Sequence, residues 1–195
     1  MVANKALARI RGAGRGRVWC PRDFLDLGTR AAVDQALSRL ARKDVVRRVA
    51  RGLYHYPKLS QRFGMLSPDP NAVASALASS VGARLSPTGA LAANMLGISS
   101  QVPARLAYLT DGPSRRIKVG AQVIDMRRTA PSRLRWGPVV HALDYLGKTA
   151  ATDDVVNRLH DRVRAGDAKK LLGDTRFAPG WMKPVLQRIT ATMEA

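Results

Sequence analysis

Between residues 29 and 51 the chain places Thr29, Arg30, Asp34, Gln35, Ser38, Arg39, Arg42, Arg47, Arg48 and Arg51, a set of side chains suited to nucleic acid. A guanidinium forks onto the acceptor edge of guanine or onto a phosphate. An amide pairs with adenine, a carboxylate accepts from cytosine, and a hydroxyl serves either. Thr29, Arg30, Asp34, Gln35 and Ser38 come first in the chain and suit base edges. Arg39, Arg42 and the neighbouring Lys43 suit phosphates. Arg47, Arg48 and Arg51 suit the backbone or a minor groove. Asp34 has a second role available, since it stands four residues after Arg30 and can hold it in an ion pair. The same charges also fit a solvated face that serves only protein contacts.

These residues need a scaffold, and residues 21–56 supply its pattern. Pro21 suits the first position of a helix running to Leu27, which would bury Phe24, Leu25 and Leu27. Gly28 makes a turn and Thr29 caps a longer helix to Lys43. Ala32, Val33, Ala36, Leu37 and Leu40 recur there at helical spacing, opposite the polar candidates. Val45, Val46 and Val49 mark a strand, Gly52 turns it beside Arg51, Leu53 to Tyr56 return, and Pro57 closes the segment. Upstream, Asn4 is placed to cap a helix to Arg11 with Ala6, Leu7 and Ile10 inward. Gly12 to Arg17 end it, and Val18-Trp19 is extended. The order is that of a winged helix-turn-helix over residues 1–57, a DNA-reading module.

Residues 58–69 are rich in Gly, Pro and polar side chains and read as a linker. In residues 70–195, Asp69-Pro70 start a helix to about Ser80, 83–85 is a brief strand, and 89–96 is helical. Strands are expected at 107–110, 116–119 and 122–127. Helices are expected at 138–146, 153–164, 167–172 and 181–193, with Trp136, Trp181, Met182 and Leu186 in their core. The expected fold class is α+β: an N-terminal winged helix-turn-helix, then a small mixed α/β unit and a helical C-terminal region.

Charge bears on the partner. The chain has 33 Lys and Arg against 14 Asp and Glu, a net charge of +19. Residues 1–56 hold thirteen basic and four acidic side chains, so the excess is densest in the candidate module. A polyanion is the natural partner. One cysteine, Cys20, excludes an intrachain disulfide and a cysteine zinc cluster, which fits a reducing cytoplasm. No stretch approaches the ~20 apolar residues of a membrane span, and no signal-peptide pattern opens the chain.

Catalysis is not expected. His55, His141 and His160 are isolated in sequence, and no HExxH or GxSxG occurs. Cys20 stands at a helix start, where a thiol pKa can fall, although a half-buried structural cysteine is the much commoner case. Asp153-Asp154 fit a metal pair or a capped helix start. Gly12-Ala13-Gly14-Arg15-Gly16 lacks the Lys-Ser/Thr pair of a phosphate loop. No catalytic residue, cofactor or metal is therefore assigned.

The run PRDFLDLGTRAAVDQALSRLARKDVVRRVARGLYHYPK (residues 21–58) resembles the N-terminal winged helix of AbiEi-like antitoxins of type IV toxin–antitoxin systems. LSPTGALAANMLGISSQVPARLAYLTDGPSRRIKVG (residues 85–120) is similar to a small-protein branch of the same superfamily. The likeness runs to about Trp181. It implies a DNA-binding antitoxin that represses its own operon at promoter repeats. It also implies a nucleotidyltransferase-like toxin opposed without a stable complex. Thr29, Arg30, Gln35 and Arg39 match the reading helix, and Arg47, Arg48 and Arg51 the wing. The best-studied members carry a larger C-terminal domain. The alternative is thus an orphan winged-helix regulator, or a protein- or RNA-interaction module without a cognate toxin.

Overall fold

The computed structural model describes residues 1–101, 105–163 and 165–191. Two compact units divide the chain: residues 1–84 with 116–124, and residues 85–115 with 125–195. The fold is α+β, with helices at the N-terminus and a helical C-terminal region.

The first unit opens with α1 (Val2–Gly12), β1 (Val18–Trp19) and a 3-10 helix (Pro21–Leu27). α2 (Arg30–Arg42) follows, then β2 (Arg47–Ala50) and β3 (Leu53–His55). The strands form one antiparallel sheet in the order β1-β3-β2. This is the winged helix-turn-helix arrangement, with β2 and β3 as the wing. Ala6, Ile10, Trp19, Phe24, Val33, Leu37, Leu40, Val46 and Tyr54 make its core. The apolar spacing of α1 and α2 therefore does what it promised.

Local differences have physical causes. α1 begins at Val2, so Asn4 lies inside it rather than capping it. The segment 21–27 is a 3-10 helix with three residues per turn, so Pro21, Phe24 and Leu27 share a face. Phe24 is fully buried and Leu27 partly, but Leu25, one position off that face, is exposed. The valine run does not start the strand. α2 ends at a left-handed residue, Asp44 (φ 54°), and Val45 N–H returns to Leu40 O at 3.0 Å. Val46 drops into the core ahead of β2.

The segment 58–69, read as a linker, contains a hairpin of β4 (Leu59–Ser60) and β5 (Gly64–Met65). α3 (Pro70–Ser80), capped by Asp69, then packs on the 3-10 helix, β1 and β3. Arg22 donates to Ser79 O. This makes the first unit larger than residues 1–57. Strand alternation explains why it needs α3: Trp19 and Tyr54 face the α1–α2 core, so Val18, Leu53 and His55 face away. All five are buried, and α3 supplies the second cover.

The second unit begins with β6 (Leu85–Pro87) and α4 (Gly89–Met95). β7 (Arg105–Thr110), β8 (Arg115–Val119) and β9 (Gln122–Arg128) complete a four-stranded sheet in the order β6-β7-β9-β8. Residues 116–124, around the β8–β9 turn, cluster with the first unit. α5 (Pro138–Leu146), α6 (Asp153–Arg162), α7 (Ala165–Asp174) and α8 (Met182–Ala191) follow. Their core holds Val140, Leu143, Leu159, Met182, Leu186 and Ile189, with Trp136 and Trp181 packed at its edge. Arg164 and Met193, expected helix ends, lie outside the described residues.

α4 lies against α5 through Ala92, Ala93 and Ala142. An added Cβ on Gly89 would come within 2.5 Å of the His141 carbonyl oxygen. The small residues of Gly89-Ala90-Leu91-Ala92-Ala93 are thus the price of a close helix pair.

Candidate functional site

α2 and the wing enclose an open groove of about 460 Å³ lined by Arg30, Asp34, Gln35, Ser38, Arg42, Arg48 and Arg51, with Gly52 and Tyr54. Seven of the ten sequence candidates meet there. On α2 the reason is helical rotation: at about 100° per residue, positions 30, 34, 35, 38 and 42 fall within a sector of about 140°. Val33, Ala36, Leu37 and Leu40 occupy the opposite, buried stripe. On the wing, Ala50 pairs with Leu53 and leaves Arg51 and Gly52 (φ 72°) at the tip, with a register shift near Val49.

Three candidates sit elsewhere. Thr29 is the N-cap of α2, and its hydroxyl accepts from Ala32 N–H at 3.3 Å. Arg39 lies just beyond the groove sector, exposed on the flank of α2. Arg47 is opposite His55 in the ladder while Arg48 is opposite Tyr54, so adjacent arginines point to opposite faces of the sheet. Arg47 instead borders a smaller hollow of about 180 Å³ with Arg48, His55, Ser67 and Lys118. The period-2 rule would have separated Arg47 from Arg48 on sequence alone. Tyr54 had no such signal, since its placement depends on the register of β3.

The groove holds cations with one acid among them. Arg30 Nε bonds Asp34 Oδ2 at 3.0 Å, with both side chains about half exposed. Such a pair contributes only about 0.3–0.5 kcal/mol, so a phosphate or guanine can displace Asp34 at little cost.

The loop between α1 and β1 is fastened by its own cations. Arg15 stacks over Tyr56 at 4.7 Å and donates to Pro57 O, and Arg17 stacks over Trp19 at 4.3 Å. Arg9 forks onto Asp26, which lifts the guanidinium pKa and lowers that of the carboxylate.

The chemistry considered for other residues is redirected by their surroundings. Cys20 is fully buried, and that burial, with Asp23 beside it, pushes its thiol up rather than down. Asp153 pairs with Arg188 and Asp154 with Arg158 at 3.0 Å, so each carboxylate has its own arginine. Among the described residues no group of three or more His, Cys, Asp or Glu is placed to hold a metal ion. Among them, too, no helix is long and apolar enough to cross a membrane.

A winged helix with a cationic groove between α2 and its wing marks the first unit. A family of unknown function, DUF6088, matches residues 5–171, and the chain belongs to it. No curated protein and no solved structure matches the chain.

Proposed function

We propose that the protein is a cytoplasmic transcriptional repressor that binds double-stranded DNA through α2 and the wing. The observation that carries this reading is the convergence of Arg30, Gln35, Ser38, Arg42, Arg48 and Arg51 on one open groove. Four guanidiniums there suit phosphates and guanine, while Gln35 and Ser38 add hydrogen-bonding range. The likeness to AbiEi-like antitoxins extends the proposal. The DNA is the chain's own promoter, at repeats, and the protein is the antitoxin of a type IV system that opposes a nucleotidyltransferase-like toxin without a stable complex.

The binding claim is tested by fluorescence anisotropy on the chain's own upstream DNA and on scrambled DNA. Arg30→Ala is expected to lose about 1–3 kcal/mol of preference for the cognate sequence. Arg51→Ala is expected to weaken both sequences alike. With six to eight phosphates neutralised, log K falls against log salt with a slope of roughly −5 to −7. Equal affinity of the wild type for both DNAs at moderate salt sinks the promoter reading. Co-expression with an adjacent nucleotidyltransferase-like gene tests the antitoxin claim, and unrelieved toxicity ends it.

A second reading, a protein-interaction module, is favoured by one observation. Leu59, Phe63 and Met65 on the β4–β5 hairpin are exposed together. Apolar groups clustered on a surface mark contact sites. If Phe63→Ser changes oligomeric state or partner capture and leaves DNA affinity intact, that hairpin has its own task.

A further inference from the structure

The second unit contains a hollow of about 370 Å³ lined by Thr88, Arg127, Arg133, His141, Asp144 and Tyr145. These residues come from the start of α4, from β9, from the segment before α5 and from α5 itself. Nothing in the DNA-binding reading uses them.

His141 is only 4% exposed, yet its Nε2 has no hydrogen-bond partner among the described residues. A buried polar atom left unpaired costs about 1–3 kcal/mol. His141 lines the hollow, but Nε2 itself has almost no exposed surface, so a charge bound there acts on the ring through space and not by direct contact. Arg127 and Arg133 border the same space, and more than half of each side chain is exposed. Each spends part of its fork on a carboxylate, Arg127 on Asp125 at 3.1 Å and Arg133 on Asp144 at 3.4 Å. A guanidinium has five N–H donors, so both retain free ones.

We infer that this hollow binds a small phosphomonoester, its phosphate held between Arg127 and Arg133, close enough to the buried His141 ring to act on its charge. A phosphate suits the arrangement better than a carboxylate. Its terminal oxygens accept donors from directions spread in three dimensions, whereas a carboxylate accepts mainly near its own plane. The volume lies at the low end for small-molecule sites, which fits a mononucleotide-sized ligand and not a polymer. Tyr145, half exposed at the rim, offers a ring face to the organic part.

The site also predicts proton uptake. Burial, then the Arg133 guanidinium, pushes the His141 imidazole below its ordinary value, and Asp144 opposes them. Arg127 faces the same space from β9, and Trp136 packs tilted against the ring, with centroids 5.5 Å apart. Thr88, Gly89 and Ala90 of the adjoining helix start bring no charge. A phosphate dianion therefore adds the missing negative charge and draws a proton onto His141.

The test is calorimetric titration of the full chain at pH 7 with inorganic phosphate and with adenosine monophosphate, in two buffers of different ionisation enthalpy. One saturable site is expected, with uptake of up to one proton. Arg127→Gln is expected to weaken it at least tenfold and His141→Gln to abolish the uptake. The Arg127 side chain is exposed, so that variant reports even if His141→Gln fails to fold. No saturable binding of either probe, or binding unchanged by Arg127→Gln, overturns the site. Binding without proton uptake overturns the part given to His141.

Discussion

His55 is 1% exposed at the centre of the wing sheet, opposite both Val18 and Arg47. Burial first, and the Arg47 charge second, push its imidazole below the ordinary value near 6.5. The folded state therefore resists a proton that the unfolded state accepts. Stability is fully present above about pH 6.5 and declines as pH falls below it. Denaturant unfolding at pH 7.5 and 5.5 is expected to show this loss, and His55→Gln to reduce it. An equal pH dependence in wild type and variant would remove His55 as the cause. His141 acts in the same direction in the other unit, so each single variant removes only part. Asp44 gives a second expectation. It holds φ 54° after α2, where glycine pays no Cβ penalty. Asp44→Gly is expected to stabilise the first unit by about 0.5–1 kcal/mol; a loss in the same melt would show that the aspartate side chain matters more. Much at this scale was readable from spacing alone: the polar stripe of α2, its Thr29 cap and the turn at Arg51-Gly52. The direction of Arg47 was readable too, by alternation. That one ring nitrogen each of His55 and His141 lacks a partner among the described residues was not, because it follows from contacts made by distant segments.

Among the elements, the α4–α5 pair is the least tolerant of added bulk. A Cβ on Gly89 would lie 2.4 Å from Tyr145 Cβ and 2.5 Å from the His141 carbonyl oxygen, and the backbone oxygen cannot swing aside. Gly89→Ala is expected to cost about 1–3 kcal/mol as overpacking. Gly173 in α7 meets nothing within 4 Å, so Gly173→Ala is expected to add about 0.5–1 kcal/mol through helix propensity. The pair is checked by urea midpoints, and a midpoint for Gly89→Ala equal to wild type would refute the close approach. Elements were legible where the pattern was long. α2 and α5 announce themselves over several turns, but β4 and β5 have two residues each, too few for a period, and so passed for linker. The helix at 21–27 is legible but its 3-10 type is not, because Phe24, Leu25 and Leu27 fit either template until Leu25 is seen exposed.

For the whole molecule, the net charge of +19 acts on folding and on binding with opposite signs. Self-repulsion loosens the folded chain, while the attraction to DNA proposed above depends on the same unscreened field. Added sodium chloride is therefore expected to raise Tm slightly while DNA affinity falls steeply. Parallel thermal and anisotropy titrations check this, and a Tm that falls with salt would mean that specific ion pairs outweigh net repulsion. What no local pattern could reveal is that the first unit is discontinuous: residues 116–124 join residues 1–84.

That discontinuity has a consequence during synthesis. The hollow beside His55 has Ser67 on one side and Lys118, Val119 and Gly120 on the other. A ribosome that has finished residue 84 must still make the residues up to 124 before that wall exists. At about 5–20 residues per second, this leaves roughly 2–8 s in which the wing's rear face lacks part of its enclosure. A nascent chain stalled after residue 84 has emerged should thus be cut by protease near the wing, and one stalled after residue 124 has emerged should resist. Residues 29–51, which carry the groove proposed to bind DNA, are made before residues 116–124, and their sheet waits on those later residues for its cover.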